Sequence, residues 1–215
     1  MEVLYVDSQH SQNSGDHMTG KKVTAESDGI HKVCCDTKTS ALFIHQGSTY
    51  DIRAAISTIE DRAAFLHTIR TIAETHETHI ICFNADMLAG IPHAHVALSH
   101  AVRSYERGVM VSNTLEMEAL LYAAGSRQCS LAAPFGVHEG ENHLYVCCYP
   151  TSDGVWGALA PVIRIVNDPW SCIDSQKLAF LMDLFGITPD ELATTERARI
   201  IDLVLERIAL LDVYR

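Results

Sequence analysis

The sequence predicts an α/β (α+β) fold: a central mixed β-sheet covered by helices, followed by a helical C-terminal tail. Three observations carry that expectation. Short apolar runs rich in β-branched residues, among them THIICFN (78–84) and HLYVCCYP (143–150), have the length and composition of strands buried on both faces. Stretches between them repeat their apolar residues every three or four positions, the period of a helix with one buried side. From residue 174 onward only the helical period remains. Strands with helices between them, and then helices alone, favour layers packed on a sheet over a bundle.

Taken in order, residues 2–6, 31–35 and 40–46 (SALFIHQ) are strand candidates in an extended N-terminal part, residues 1–50. The polar stretch 8–28 has no apolar period and reads as a loop. DIRAAIST (51–58) alternates well enough for a half-buried strand. Ile59, Ala63, Leu66, Ile69 and Ala73 share one face and predict a helix over 59–76. A second helix is expected over 92–107, with Val96, Ala101, Val102 and Tyr105 inward and Gly108 as its stop. Asn113 can cap a third, with Glu116 reaching back in a capping box. Its body, 115–124, is apolar nearly all round; Gly125 can end it in the left-handed conformation, leaving Ser126 to cap another helix. GVHEGEN (136–142) reads as a turn, and HLYVCCYP and LAPVIRIV (159–166) as strands. Residues 174–184 form a helix stopped by Gly186. TPDE (188–191) supplies a capping Thr188, a proline at the first helical position and Glu191 at the third. Ile200, Ile201, Val204, Ile208 and Leu211 make the last helix amphipathic. The expected organisation is one domain over 1–215, with a core at 51–167 and C-terminal helices at 168–215.

With 215 residues, 47% of them hydrophobic, the chain can bury a sizeable core. Its net charge of −11 repels a nucleic-acid backbone on average, so any such contact must use a local basic patch. Seven cysteines, with adjacent pairs at 34–35 and 147–148, make no disulfide framework; Cys82, Cys147 and Cys148 lie in apolar runs where they act as small hydrophobes. The N-terminus has no signal-peptide pattern, and no run approaches the ~18 apolar residues of a membrane span. A cytoplasmic, soluble protein is expected.

Catalytic patterns are sparse. HExxH, CxxC, GxSxG and Gly-rich phosphate loops do not occur. On a helix His93 and His100 would share a face while His95 points elsewhere, and Glu116 and Glu118, two apart, diverge. No catalytic residue, metal or cofactor is expected. The alternative is a small metal- or thiol-dependent hydrolase using His93, His95 and His100, or Cys129 beside Arg127. Arg103 and Arg107 lie one turn apart at a helix C-terminus, and with Arg127 they can form a basic patch if the two helices pack together. The competing expectation neutralises them with Glu106, Glu116 or Glu118. Arg197, Arg199 and Arg207 are matched by Glu196, Asp202 and Glu206, a solvated charged face.

ADMLAGIPHAHVALSHAVRSYERG (85–108), followed by NTLEMEALLYAAGSRQCSLAAPFGV (113–137), resembles the family of the small regulatory (PRPK-binding, Cgi-type) subunit of the KEOPS complex. The shared pattern is an acid within a helix, then Leu-Tyr-small-small-Gly-Ser-Arg-Gln, then a piece ending in Phe-Gly-Val. Here these are Glu118, Leu121, Tyr122, Gly125, Ser126, Arg127 and Gln128, then Phe135, Gly136 and Val137. The ending VLERIALLDVYR resembles archaeal members. The resemblance implies a non-enzymatic subunit without a small-molecule substrate or a membrane. It would bind the N-lobe of the complex's kinase-like ATPase and, as in archaea, the 3′ CCA end of tRNA. That complex installs threonylcarbamoyl on the adenosine beside the anticodon. Asn113, Glu118, Tyr122 and Gly125 would build a structural corner, while Arg103, Arg107, Arg127 and Gln128 would face tRNA. Arg127 and Gln128 could instead donate to helix-end carbonyls and to Glu118.

Overall fold

The computed structural model describes residues 33–34, 49–167, 170, 172–194 and 199–212. Their elements, in chain order, are β1 (Val33–Cys34), β2 (Asp51–Ile59), α1 (Arg62–Thr75), β3 (His79–Asn84), α2 (Ile91–Glu106), α3 (Leu115–Ala123), α4 (Cys129–Ala132), β4 (Gly140–Tyr149), α5 (Val155–Leu159), β5 (Arg164–Ile165), β6 (Cys172–Ile173), α6 (Ser175–Phe185), α7 (Pro189–Thr194) and α8 (Ile200–Leu210). The strand expectations at 2–6 and 40–46, the loop at 8–28 and the charges of Glu196 and Arg197 lie outside the described residues.

The main sheet has the order β3-β4-β2-β5, and β1 pairs separately with β6. The expected mixed sheet is antiparallel in every described pairing. β4 pairs with β2 from Asp51↔Cys148 to Ile59↔Gly140, and with β3 from His79↔Tyr149 to Asn84↔Leu144. Both β2 and β3 oppose β4, so they run parallel to each other with α1 connecting them: a split β-α-β unit.

Helices cover both faces of β3 and of the second half of β4, which is why those runs are apolar rather than alternating, whereas β2 buries alternate residues at Ala55, Ser57 and Ile59. Along β4, Tyr145, Cys147 and Tyr149 join Ile81 and Phe83 in one core with α2, α3, α6 and α8. Leu144, Val146 and Cys148 point the other way, to Ile80 and to Phe65 and Ile69 of α1 and Val155 and Leu159 of α5. Cys147 and Cys148 are both buried, one in each core. Burial, with Asp51 nearby, pushes the Cys148 thiol up to about 12, so it packs as a neutral group.

The helices depart from expectation mainly at their ends. Ile59 is the last residue of β2; α1 starts after Asp61, whose carboxylate accepts from the amides of Ala63 (2.7 Å) and Ala64 (3.0 Å). Its inner face is Phe65 and Ile69, and Ala63 is exposed. α2 buries Ala94, Ala97, Leu98, Ala101 and Val102; Tyr105, expected inside, is 41% exposed. The small residues on that face let α3 approach closely. LAPVIRIV yields only the two-residue β5, because Leu159 completes α5 and the next residues turn. Near the C-terminus the expected capping box forms: the Glu191 amide donates to Thr188 Oγ1 (3.1 Å) and the Thr188 amide to Glu191 Oε2 (2.9 Å). Arg199 pairs with Asp202 as expected, but Arg207 reaches Glu191 at 2.7 Å, joining α8 to α7. Ile200, Ile201, Val204 and Ile208 are all buried.

Candidate functional site

The corner after α3 is built by backbone chemistry. At the end of α3 the Ser126 amide donates to Leu121 O (3.1 Å) and the Gly125 amide to Tyr122 O (3.0 Å), with Gly125 at φ +57°. This pair of bonds caps a helix end through a left-handed residue. A Cβ at Gly125 would also stand 3.1 Å from the ring of Phe185, so packing and backbone both ask for glycine. Ser126 Oγ then accepts from the Gln128 amide (3.2 Å), and the backbone of Gln128, not of Ser126, occupies the cap position of α4.

At the other end of α3 the cap is Thr114, not Asn113: Thr114 Oγ1 accepts from the Met117 amide at 3.2 Å. Glu116 closes no capping box, because its carboxylate meets His79 Nδ1 on β3 at 2.8 Å. Burial alone would raise the Glu116 carboxyl, but the hydrogen bond from His79 and nearby backbone outweigh it and hold it below its usual range.

Glu118, 2% exposed, takes three bonds on Oε2: from the amides of Val111 (3.0 Å) and Ser112 (2.9 Å) and from Ser112 Oγ (3.0 Å). It therefore pins the loop between α2 and α3. Tyr122 donates its hydroxyl to Asp212 Oδ1 (2.5 Å) and shares a 2.8 Å bond with Ser104 Oγ of α2. Asp212 Oδ2 lies 2.7 Å from His100 Nδ1. Arg127 donates from Nη2 to Leu211 O at 3.1 Å. Together Tyr122 and Arg127 fasten the end of α8 to the α2–α3 pair. Ser104 and Asp212 belong to this network and were not singled out by sequence; only their fold-distant partners give them a role.

Arg103 and Arg107 are exposed and line a cleft of about 200 Å³ with Ser104, Val109 and Asp212. Arg127 lines a neighbouring cleft with Val111, Tyr122 and Leu211. Both clefts are walled by the turn at 109–111 and by 211–212, so the three arginines edge one end of the molecule. The acids expected to neutralise them are engaged elsewhere: Glu106 accepts from the Tyr149 hydroxyl (2.8 Å), Glu116 meets His79, and Glu118 holds its loop. Val109 lines the first cleft and Val111 the second, 48% and 52% exposed. Such an edge offers guanidinium groups to phosphates and an apolar surface to unstacked bases. Gln128 is exposed beside it.

The three histidines go to three places. His93 is fully buried, its Nδ1 accepting from the Ala89 amide (3.1 Å) and its Nε2–H donating to Ala123 O (2.9 Å). Burial depresses its pKa to about 3, making it a neutral strut between the start of α2 and the end of α3. His95 packs against the Tyr50 ring with centroids 5.9 Å apart, and His100 serves Asp212. Among the described residues no group of three or more His, Cys, Asp and Glu side chains is placed to hold a metal ion. Cys129 is exposed at the start of α4.

A core scaffold that spends its polar side chains on fixing loops and helix ends, with a charged edge left open, has the form of a binding protein. The family model described as Kinase binding protein CGI-121 matches residues 56–212, most of the chain and all of this corner. The chain belongs to the CGI-121 family of kinase-binding proteins. No curated protein matches it.

Proposed function

We propose that this protein is a non-catalytic regulatory subunit of KEOPS, cytoplasmic, that binds the complex's kinase-like ATPase and the 3′ CCA end of tRNA. In that role it supports threonylcarbamoyladenosine formation beside the anticodon. Membership of a kinase-binding family supports the protein partner. The observation that carries the RNA half is the open edge of Arg103, Arg107 and Arg127 around Val109 and Val111. In a chain of net charge −11, contact confined to this edge suits a short unstacked terminus better than a long duplex. Among the described residues no helix is long and apolar enough to cross a membrane.

The test is tRNA binding at moderate salt, with intact tRNA and tRNA lacking its CCA end. Intact tRNA should bind and the truncated form should not. Arg103→Glu should weaken binding by about ten-fold and flatten its salt dependence. Arg127→Glu should do the same, at some cost to stability because Arg127 also holds Leu211. Equal binding of both tRNAs, or none of either, would remove the CCA reading.

A further inference from the structure

We propose that the cavity between α1, β3 and α3 is a binding site for a small amphipathic anion, a medium-chain carboxylate of the size of decanoate, held as a ligand and not as a substrate. The inference goes beyond the subunit reading and does not rest on it.

The cavity measures about 360 Å³. Leu66 and Ile69 of α1, Ile80 and Ile81 of β3, and Met117 and Leu120 of α3 line it, with Val137 from the segment before β4. Ile69, Ile80, Ile81 and Val137 are only 1–4% exposed, so the cavity reaches inward to the core rather than lying flat on the surface. Leu66, Met117 and Leu120 are apolar yet only half-buried, so the described residues leave this lining incompletely covered. Taking such surface out of water is what draws an aliphatic chain in. The size fits too. An engineered apolar cavity of about 150 Å³ holds one benzene, and by that ratio this one takes about fourteen non-hydrogen atoms, room for decanoate, which has about a dozen. An extended peptide suits the interior less well. It would bring backbone amides and carbonyls inside, where the aliphatic side chains of Ile69, Ile80, Ile81 and Val137 offer them no partners.

Charge at the mouth selects an anion. Arg62, Arg70 and Thr114 line the cavity while remaining exposed, so they stand at its opening. Neither arginine pairs with a carboxylate among the described residues. The acids around the opening are engaged. Asp61 accepts from the amides of Ala63 and Ala64, and Glu116, on the α3 side, meets His79 Nδ1 at 2.8 Å. Glu74, one turn beyond Arg70, lines the adjoining cavity and not this one. Two guanidinium groups over an apolar interior favour a ligand whose carboxylate stays at the opening and whose tail lies inside.

The experiment uses the full chain. Decanoate, below its micelle concentration, is titrated by calorimetry, with decanol as the neutral chain of equal length. The isotope-labelled methyl groups of Met117 and Met182 are followed by NMR; Met182 lies on α6, outside the cavity. Decanoate should bind one-to-one, about ten-fold or more tightly than decanol, and should shift the Met117 methyl while leaving Met182 unmoved. The double variant Arg62→Gln/Arg70→Gln alters exposed positions and should weaken decanoate by about ten-fold or more, leaving decanol unchanged. Leu66→Trp, which fills the cavity, should weaken both, and Arg103→Gln, outside it, neither; folding of each is checked by circular dichroism. No binding, equal affinity for decanol and decanoate, or a Met117 methyl that does not move overturns the proposal. Decanoate binding that survives both the double variant and Leu66→Trp overturns it as well, placing the ligand elsewhere. A Met117 shift on adding the kinase-like subunit, with none on adding decanoate, assigns the cavity to the protein partner instead.

Discussion

Glu118 shows how one buried charge sets a loop. Its carboxylate serves two amides and a hydroxyl at 111–112, and truncation would strand those donors away from water. Glu118→Ala should cost on the order of 2–4 kcal/mol, with Glu118→Gln recovering more than half because an amide oxygen can still accept. The midpoint of urea unfolding reads this; a Glu118→Ala chain as stable as the parent would refute the role. His93 makes a pH-dependent contribution. Unfolded, it takes up a proton below about pH 6.5. Folded, burial keeps it neutral down to about 3. Between those values the unfolded chain binds more protons, so the stabilisation is complete above pH 6.5 and drains as pH falls toward 3. By pH 5 the loss from this group is about 2 kcal/mol. Unfolding midpoints at pH 7 and 5 should show it, and His93→Gln, though less stable at pH 7, should have the shallower slope.

At the level of elements, periodicity was legible and boundaries were less so. Among the described residues, the helical stretches, the centres of β2, β3 and β4 and the glycine stops at 108, 125 and 186 appear where pattern places them. What moved were caps and short strands. Asn113 and Thr114 have equal chemical claims to cap α3, and the sequence cannot show that Glu118 fixes the preceding loop so that Thr114 arrives in the capping position. Thr114→Ala should therefore destabilise the chain by about 1 kcal/mol, while Asn113→Ala should be close to neutral. Thermal unfolding of the two variants discriminates them, and the reverse order would restore Asn113 as the cap. LAPVIRIV shrank to two paired residues because α5 consumes its start, a competition that strand propensity does not register.

For the molecule as a whole, the C-terminal helix is part of the core. Ile200, Val204 and Ile208 of α8 are each 0% exposed, and the same helix end is gripped by Tyr122 and Arg127. Burial of three such side chains contributes roughly 5–9 kcal/mol, comparable with the stability of an entire domain. Removing residues 200–215 should leave a chain without a cooperative unfolding transition by calorimetry. A truncated chain that still melts sharply would show that α8 is an appendage. The candidate site was only partly visible beforehand: Arg103, Arg107 and Arg127 could be nominated as cations near helix ends, but their openness depends on where Glu106, Glu116 and Glu118 are spent.

Residue type and spacing along the chain were enough to read the layered fold, the helix stops, the box at Thr188 and Glu191, and the family pattern around Tyr122 and Gly125. Each of these depends on neighbours within one or two turns, where spacing and residue type decide the outcome. It takes the folded chain to show that His93 is a buried strut, that Glu118 serves a loop, that Asp212 receives Tyr122, and that β3 ends the described sheet. Those outcomes depend on which distant groups meet, and hydrogen bonds act over about 3 Å in space whatever the separation along the chain.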